Sequence, residues 1–170
     1  MNDFNEMDRY MVPTKEFFGL LADIKSLERW GVEKEQSTFI TNYLEFWKSL
    51  PELYHNLQEL LKAEQTGYQG MVYREAANNI DSYILNHSKD KHIFIGFNAL
   101  NTAEQHIIQR FLETGSSEIY WDIDTFFMED ELHSASMFIR KYLKDWNYYQ
   151  QNEKPIFGAH FESEKTINIV

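Results

Sequence analysis

The chain has 170 residues, of which 43% are hydrophobic and 16% aromatic, so disorder throughout is excluded and one domain or two small lobes are expected. Its net charge of −11 is spread along the whole sequence, and the lack of a basic stripe argues against non-specific nucleic-acid binding by this chain alone. No apolar run approaches the roughly 20 residues that span a bilayer, the start lacks a secretory signal, and cysteine is absent. We therefore expect a cytoplasmic protein with no membrane partner.

Residues 1–89 predict a small antiparallel helical lobe, in which three segments carry apolar residues at alternating steps of three and four. In the first segment, which ends at Gly31, the apolar face consists of Phe17, Leu20, Leu21, Ile24, Leu27 and Trp30. In the second, Pro51 predicts a kink or a division into two nearly collinear helices, along a face of Ile40, Tyr43, Leu44, Trp47, Leu50, Tyr54, Leu57, Leu60 and Leu61. In the third, residues 71–86, the aligned positions are Tyr73, Ala76, Ala77, Ile80, Tyr83 and Ile84.

Residues 90–170 predict a partial α/β domain, because short apolar runs alternate with helical patterns. The run 92–97 is typical of a strand in a parallel sheet that is covered on both faces. Asn101 is the expected N-cap of the next helix, with Glu104 completing a capping box and Gly115 ending the helix. The other predicted elements are strands at 118–123, 155–161 and 165–170 and a helix at 132–146 that buries Ala135, Phe138, Ile139, Tyr142, Leu143 and Trp146.

The densest polar group follows the second predicted strand and consists of Asp122, Asp124, Glu129, Asp130, Glu131 and His133. Carboxylates at the carboxyl end of a parallel strand lie where α/β folds bind ligands, and hard metal ions need several such oxygens. The same acids also suit an exposed loop and a helix N-terminus, whose dipole favours negative charge. Both interpretations stay open, although the spacing matches no known metal loop.

Nucleotide-binding motifs are absent, since the chain contains neither G-x-x-x-x-G-K-[ST] nor G-x-G-x-x-G, and no cofactor is expected. Gly67 and Gly70 precede a helix and predict either an anion-binding backbone nest or a plain helix start. Near them, Arg74 and Tyr68 are the candidate nucleic-acid contacts, the first as a phosphate-binding cation and the second as a ring that stacks on bases.

The segments "GFNALNTAEQ" and "YWDIDTFF" follow the first two predicted strands. In this order they resemble two motifs of superfamily 1 helicases of the UvrD/Rep kind, the Walker B motif D-E-x-Q-D-T-N-x-x-Q and the γ-phosphate-sensing motif G-D-x-x-Q. In the gapless match Gly96 replaces the magnesium-positioning aspartate, Phe97 replaces the water-activating glutamate, and Gln105 coincides with the last glutamine. Asp122 stands in the second motif, without the glutamine that should follow. The resemblance implies a degenerate Walker B site that does not hydrolyse ATP.

Most of residues 39–150 is similar to the AddB-type inactivated helicase that accompanies a PD-(D/E)XK nuclease in bacterial, particularly Bacteroidetes-like, repair complexes. "YLEFWKSLPELYHNL" and "YQGMVYREAA" correspond to its helical insertion, and "IFIGFNALNTAEQ", "YWDID" and "FIRKY" to its α/β core. The implied fold is an insertion-like helical lobe at 1–89 and a partial P-loop-helicase-like parallel sheet with flanking helices at 90–170. The implied function is that of an internal, non-catalytic scaffold and single-stranded DNA channel of a DNA-repair helicase–nuclease. Its implied partners are the rest of the parent chain, a partner helicase subunit and single-stranded DNA.

Two other functions fit the residues. A metal-dependent hydrolase or nuclease would be centred on the acids Asp122, Asp124, Glu129 and Asp130. A protein-interaction module would use the helical lobe as a docking surface, which exposure of Trp30, Phe46 or Trp47 would favour. Catalysis by this segment itself is not expected, whereas the parent protein that the resemblance implies is a nuclease.

Overall fold

The chain divides into two compact units, Met1–Ala76 and Ala77–Val170. The computed structural model describes residues 2–27, 38–115 and 117–166. The division lies at residues 76/77 and not at the predicted 89/90, because the helix that follows Ala77 packs within the second unit. The predicted stop at Gly31 and the side chains of Leu27, Trp30 and Ile40 fall outside the part of the chain that the structure describes. No helix within those ranges is long and apolar enough to cross a membrane.

The first unit is helical, as predicted, and it begins with a helix that was not predicted. Its helices are α1 Asn2–Arg9, α2 Thr14–Leu27, α3 Thr38–Ala63 and most of α4 Gln69–Asn78. An aromatic cluster connects three of them, since the Phe4 ring centroid lies 6.3 Å from that of Phe18 and 5.1 Å from that of Tyr54. Edge-to-face contacts of this kind add to the stabilisation from burial.

α3 is one helix of 26 residues that continues through Pro51, so the predicted alternative of two separate helices is wrong. Proline costs a helix one hydrogen bond, but packing of a long apolar face can offset that loss. The predicted face is confirmed as partly buried at Tyr43, Leu44, Trp47, Leu50, Tyr54, Leu57 and Leu61. Among the members of this face whose side chains are described, Leu60 is the exception and is 61% exposed.

α2 is a helix, as predicted, but most of its predicted apolar face is exposed among the side chains that the structure describes. Phe17, Leu20 and Ile24 all lie at the surface, whereas Phe18 is only 4% exposed. Phe18 is buried because its ring contacts the aromatic cluster on α1 and α3. Helical periodicity identifies an apolar stripe, but the position of the neighbouring helices decides which side is covered.

The third predicted helix is divided at Asn79 into α4 and α5, Ile80–Asn86. α5 belongs to the second unit, where the Asp81 Oδ1 atom lies 2.8 Å from an Arg110 guanidinium nitrogen. This division moves the boundary between the units to a position before α5.

The second unit contains a two-stranded parallel sheet, which confirms the α/β class at a coarse level. β1 is His92–Ile95 and β2 is Ser117–Tyr120. The two strands pair in parallel from His92 with Ser117 to Ile95 with Tyr120. One face of β1 is open, since Ile93 is 54% and Ile95 is 67% exposed. The prediction that this strand is covered on both faces is therefore wrong within the described residues, where β1 has a single neighbouring strand.

α6, Thr102–Glu113, connects the two strands and begins at the predicted capping box. Asn101 Oδ1 accepts a hydrogen bond from the Glu104 N–H at 3.0 Å, and Glu104 Oε2 accepts one from the Asn101 N–H at 2.9 Å. Gly115 follows the helix with a φ of +74°, a left-handed conformation that favours glycine. The predicted start and end of this helix are confirmed.

The core of the second unit lies between α6, α8 (Met137–Asp145) and α9 (Asn147–Gln151), the last of which was not predicted. Its buried residues are Leu100, Ile108, Leu112, Trp121, Ile139, Tyr142, Leu143, Trp146 and Tyr149. The predicted helix over 132–146 instead begins with a loop and a 3-10 turn at Ser134–Ser136. Phe138, predicted to be buried, is 36% exposed.

Residues 155–161 do not form the predicted strand. They make one isolated parallel bridge, between Asp124 and Gly158, and Ile156 is 99% exposed. An unpredicted short helix, α7 (Thr125–Glu129), follows β2. The predicted strand at 165–170 lies mostly outside the described residues.

Candidate functional site

The loop between β1 and α6 holds the residues that resemble a Walker B motif. The Gly96 N–H donates to the Tyr120 carbonyl at 3.3 Å, and Gly96 has a φ of +75°. Phe97 is 39% exposed, with its ring centroid 6.3 Å from that of Phe94. Neither the glycine nor the phenylalanine carries an oxygen ligand for Mg²⁺ or a proton acceptor. The end of β1 therefore lacks a hydrolytic group at both matched positions.

Gln105, the third matched position, binds the protein itself. Its Nε2 donates to the Leu100 carbonyl at 2.9 Å, and its Oε1 accepts a hydrogen bond from Trp146 Nε1 at 3.2 Å. The Leu100 N–H donates to the Tyr142 hydroxyl at 2.7 Å. These bonds satisfy the backbone polar groups of a buried residue and attach the loop to the core. The Gln105 amide is thus used to position the loop.

Asp124, one of the predicted metal ligands, binds backbone N–H groups of two separate segments. Its Oδ1 accepts a hydrogen bond from the Phe126 N–H at 3.0 Å, as the N-cap of α7. Its Oδ2 accepts from the N–H groups of His160 and Phe161 at 2.6 Å and 2.9 Å. These backbone donors, that of Phe126 first, hold the pKa of Asp124 below its usual range.

The other predicted metal ligands do not converge. Asp130 Oδ1 accepts a hydrogen bond from the Leu132 N–H at 3.0 Å, while Asp122 and Glu129 are exposed. Within the described residues, no three histidine, aspartate or glutamate side chains lie close enough together to hold a metal ion. The geometry therefore supports the alternative of an exposed acidic loop whose carboxylates cap turns.

Arg140, on α8, organises this acidic loop and was not predicted. Its guanidinium donates to four backbone carbonyls at 2.9 to 3.0 Å, those of Phe127, Asp130, Glu131 and His133. The side chains of Asp130 and Glu131, whose carbonyls bind this cation, are exposed. The sequence carries no signal for this arrangement, since an arginine on a predicted helix is ordinarily an exposed residue.

The first unit contains a buried carboxylate that was not predicted. Asp8 is 0% exposed, and its Oδ1 lies 2.6 Å from Arg74 Nε. It accepts hydrogen bonds from the Tyr54 hydroxyl at 2.5 Å, from Gln58 Nε2 at 2.9 Å and from the Tyr68 hydroxyl. Burial, and then the hydrogen bond and charge of Asp8, raise the pKa of both tyrosines. In sequence Asp8 looks like any charged residue of a short polar segment, and its partners lie far along the chain.

Arg74 and Tyr68, the candidate nucleic-acid contacts, are both used in this network. Arg74 Nη2 also donates to the carbonyls of Met7 and Val12 at 2.7 Å and 2.8 Å. Nucleic-acid contact by these two side chains stays a prediction, and it would require these bonds to be exchanged for bonds to phosphate or base.

Gly70 serves a close helix contact and not an anion nest. Its N–H donates to Asn5 Oδ1 at 2.7 Å. A Cβ atom at this position would lie 2.1 Å from the Asn5 carbonyl oxygen, so only glycine fits without movement of the backbone. The plain helix start is therefore the interpretation that the structure supports.

An apolar groove of about 560 Å³ lies between α1, α2 and α3. Its wall includes Phe4, Met7, Phe18, Phe46, Trp47 and Leu50. Phe46 is 51% exposed and Trp47 is partly buried. The exposed Phe46 meets the condition that favours a docking surface on the helical unit.

Comparison with known proteins gives no match, neither to a family model nor to a curated protein nor to a solved structure. The function is therefore argued from the residues and their geometry. Three features carry that argument: the loop after β1, the open face of the sheet and the groove of the first unit.

Proposed function

We propose that the chain is a non-catalytic, helicase-like segment of a DNA-repair helicase–nuclease and that it acts as a scaffold. The observation that supports this most is the parallel unit of β1, α6 and β2, in which Gly96 and Phe97 follow the first strand. Under the resemblance, these two residues correspond to the acids that bind magnesium and activate water. Phosphoryl transfer depends on that positioning and charge neutralisation, so a unit without those acids is not expected to hydrolyse ATP at this site.

The open face of the sheet also supports a scaffolding role. Ile93, Ile95 and Tyr120 are each more than half exposed on this face. Parallel sheets are usually covered on both faces, so an apolar open face is suited to contact with further protein. The proposed cover is the rest of the parent chain or a partner helicase subunit. Because this chain has a net charge of −11, those parts would supply the basic surface of a DNA channel.

Phosphate release from ATP tests the proposal. The purified chain, with Mg²⁺ and single-stranded DNA, is expected to release no more phosphate than buffer does. The variants Asp122→Asn and Asp124→Asn are expected to behave identically to the unchanged chain. Hydrolysis that either variant abolishes would disprove the non-catalytic assignment.

The alternative of a metal-dependent hydrolase centred on Asp122, Asp124, Glu129 and Asp130 is tested by calorimetry with Mn²⁺. We expect no heat of binding, because Asp124 and Asp130 are used as caps and the other two acids are exposed. Binding in the micromolar range that Asp124→Asn abolishes would restore this alternative.

A second candidate function is a protein-interaction module, and it is favoured by a specific observation. Phe46 lines the apolar groove and is 51% exposed, with its ring centroid 5.5 Å from that of Trp47. Exposed apolar surface beside a groove is typical of interaction sites. This function is compatible with a scaffold, since docking of a partner is one way in which a scaffold works.

A further inference from the structure

The acidic loop of the second unit presents a large apolar side chain to solvent. Leu132, which precedes His133, is 96% exposed. The Phe127 ring centroid lies 4.7 Å from that of His133 and 4.8 Å from that of Phe161, which is itself 46% exposed. Phe127 therefore connects the loop that carries Leu132 to a second exposed apolar residue. Neighbouring apolar side chains at a surface are typical of interaction sites.

Hydrogen bonds fix the position of Leu132 before any partner binds. The Leu132 N–H donates to Asp130 Oδ1 at 3.0 Å, and His133 Nδ1 accepts a hydrogen bond from the Ala135 N–H at 3.1 Å. Arg140 binds the backbone carbonyls on both sides of Leu132, at distances of 2.9 to 3.0 Å. An ordered loop loses less conformational entropy on binding than a loop that must first be ordered.

The charge around Leu132 selects the chemistry of the partner. Residues 122–136 contain five acids and no lysine or arginine. Extending the count to the end of α8 gives six acids against three bases, so an acidic excess remains when the cations of that helix are included. In the described part of the chain, no ion pair involves Glu129, Asp130 or Glu131. Lysine or arginine on the partner would be complementary to these carboxylates.

The same charge argues against other occupants of this surface. A second copy of the chain has the same acids and a net charge of −11, so a symmetric contact here would bring like charges together. Nucleic acids and anionic lipid surfaces are also negatively charged. A protein segment that carries both apolar and basic side chains fits the exposed leucine and the acids beside it.

We propose that Leu132 and the acids next to it bind an apolar, basic segment of a partner protein, with lysine or arginine opposite Glu129 and Glu131. This inference goes beyond the scaffold function, because it assigns a docking surface and the chemistry of the partner. It uses neither the groove of the first unit nor the resemblance to helicases.

Two synthetic helical peptides test the inference. Both carry leucine along one face, and the leucines are flanked by lysine in one peptide and by glutamate in the other. We expect the whole chain to bind the lysine peptide and not the glutamate peptide, measured by fluorescence anisotropy. Leu132→Asn is expected to weaken binding of the lysine peptide about tenfold, because the apolar contact of one leucine is lost.

Matched variants separate the apolar and the ionic contribution. Leu85→Asn makes the same change at a leucine of α5 that is 77% exposed, and it should leave the peptide affinity unchanged. Glu129→Gln combined with Glu131→Gln should weaken the lysine peptide and reduce the effect of added salt. Glu45→Gln combined with Glu52→Gln removes the same charge from exposed positions of the first unit and should have neither effect.

Four results would overturn the inference. The first is that neither peptide binds, and the second is that Leu132→Asn and Leu85→Asn have equal effects, which would show non-specific attraction to an acidic protein. The third is binding of the glutamate peptide that Leu132→Asn weakens, which would remove the charge assignment. The fourth is a dimer of the unchanged chain that Leu132→Asn dissociates, which would make a second copy the occupant. The test of phosphate release from ATP is unaffected by any of these results, so the two proposals fail separately.

Discussion

At the scale of single residues, Asp8 shows how a carboxylate can be buried at tolerable cost. A charge without water is stabilised only when a counterion and hydrogen-bond donors surround it. Here Arg74 supplies the counterion, and Tyr54, Gln58 and Tyr68 supply the donors. The four partners come from α3, α4 and the segment between them, so the network ties the start of the chain to the rest of the first unit.

Replacement of Asp8 by asparagine should lower the free energy of unfolding by about 3 kcal/mol, because the largely buried Arg74 loses its counterion. Urea unfolding followed by tryptophan fluorescence measures this change. The control is Glu6→Gln, which breaks an exposed ion pair with Arg9 and should cost less than about 1 kcal/mol. Equal effects of the two substitutions would contradict the importance of the buried network.

The same network predicts a loss of stability at high pH. Burial and Asp8 raise the pKa of Tyr54 and Tyr68 above the ordinary value of 10.0, so the folded chain keeps these protons after the unfolded chain has released them. Their contribution is complete below about pH 10 and decreases as the pH rises further. We expect the urea midpoint to fall as the pH rises above about 10, and to fall less in Tyr68→Phe. An unchanged pH dependence in that variant would refute the assignment.

At the scale of elements, α6 and the acidic loop are stabilised in different ways. α6 is stabilised by residues next to it in sequence, through the reciprocal bonds of Asn101 and Glu104. The acidic loop is stabilised by Arg140, which follows the loop in sequence and lies on α8. Its guanidinium donates hydrogen bonds to four backbone carbonyls of the loop and of α7 before it. Local spacing therefore predicts the first element, and the second depends on a contact that spacing does not show.

Asn101→Ala should lower the free energy of unfolding by about 1 kcal/mol, the usual cost of removing a helix N-cap. Urea denaturation of the whole chain measures it. Asn98→Ala is the matched control, since Asn98 is exposed in the same loop and should change stability by less than about 0.5 kcal/mol. A cost for Asn98→Ala as large as that for Asn101→Ala would show that the loop, and not the cap, determines the effect.

At the scale of the whole molecule, charge decides which partners the chain can bind by itself. The net charge is −11, and the one cation singled out for phosphate binding, Arg74, is engaged with Asp8 and two carbonyls. Affinity for nucleic acid depends mainly on neutralised phosphates. The scaffold proposed here therefore needs another part of its assembly to hold DNA.

The isolated chain should bind fluorescein-labelled single-stranded DNA more weakly than about 100 μM at physiological salt. Fluorescence anisotropy measures the affinity. Arg74→Gln should leave the signal at the same background level, since that side chain is already engaged. Micromolar binding that weakens steeply with added salt and is lost in Arg74→Gln would mean that the Asp8 network opens to receive a phosphate.

The parts of the fold that the sequence predicts correctly are those determined by residues close together along the chain. The capping box at Asn101, the stop at Gly115 and the apolar face of α3 are confirmed, because each depends on local spacing or on one backbone conformation. The wrong predictions concern packing. On α2 the buried side is that of Phe18 and not the predicted stripe. The run 155–161, predicted to be a strand, makes only a single bridge among the described residues. Apolar content alone does not say which neighbouring element a segment packs against.

The amino-acid sequence by itself determined the helical start of the chain, the strand–helix–strand order of its second half and the lack of acids at Gly96 and Phe97, because composition, periodicity and residue identity are local properties. Only the tertiary structure decided that Asp8 is buried, that Arg74 is engaged and that a groove opens beside Phe46. These features join residues that are far apart along the chain. Their energies arise from burial and charge pairing, which exist only after the helices have packed.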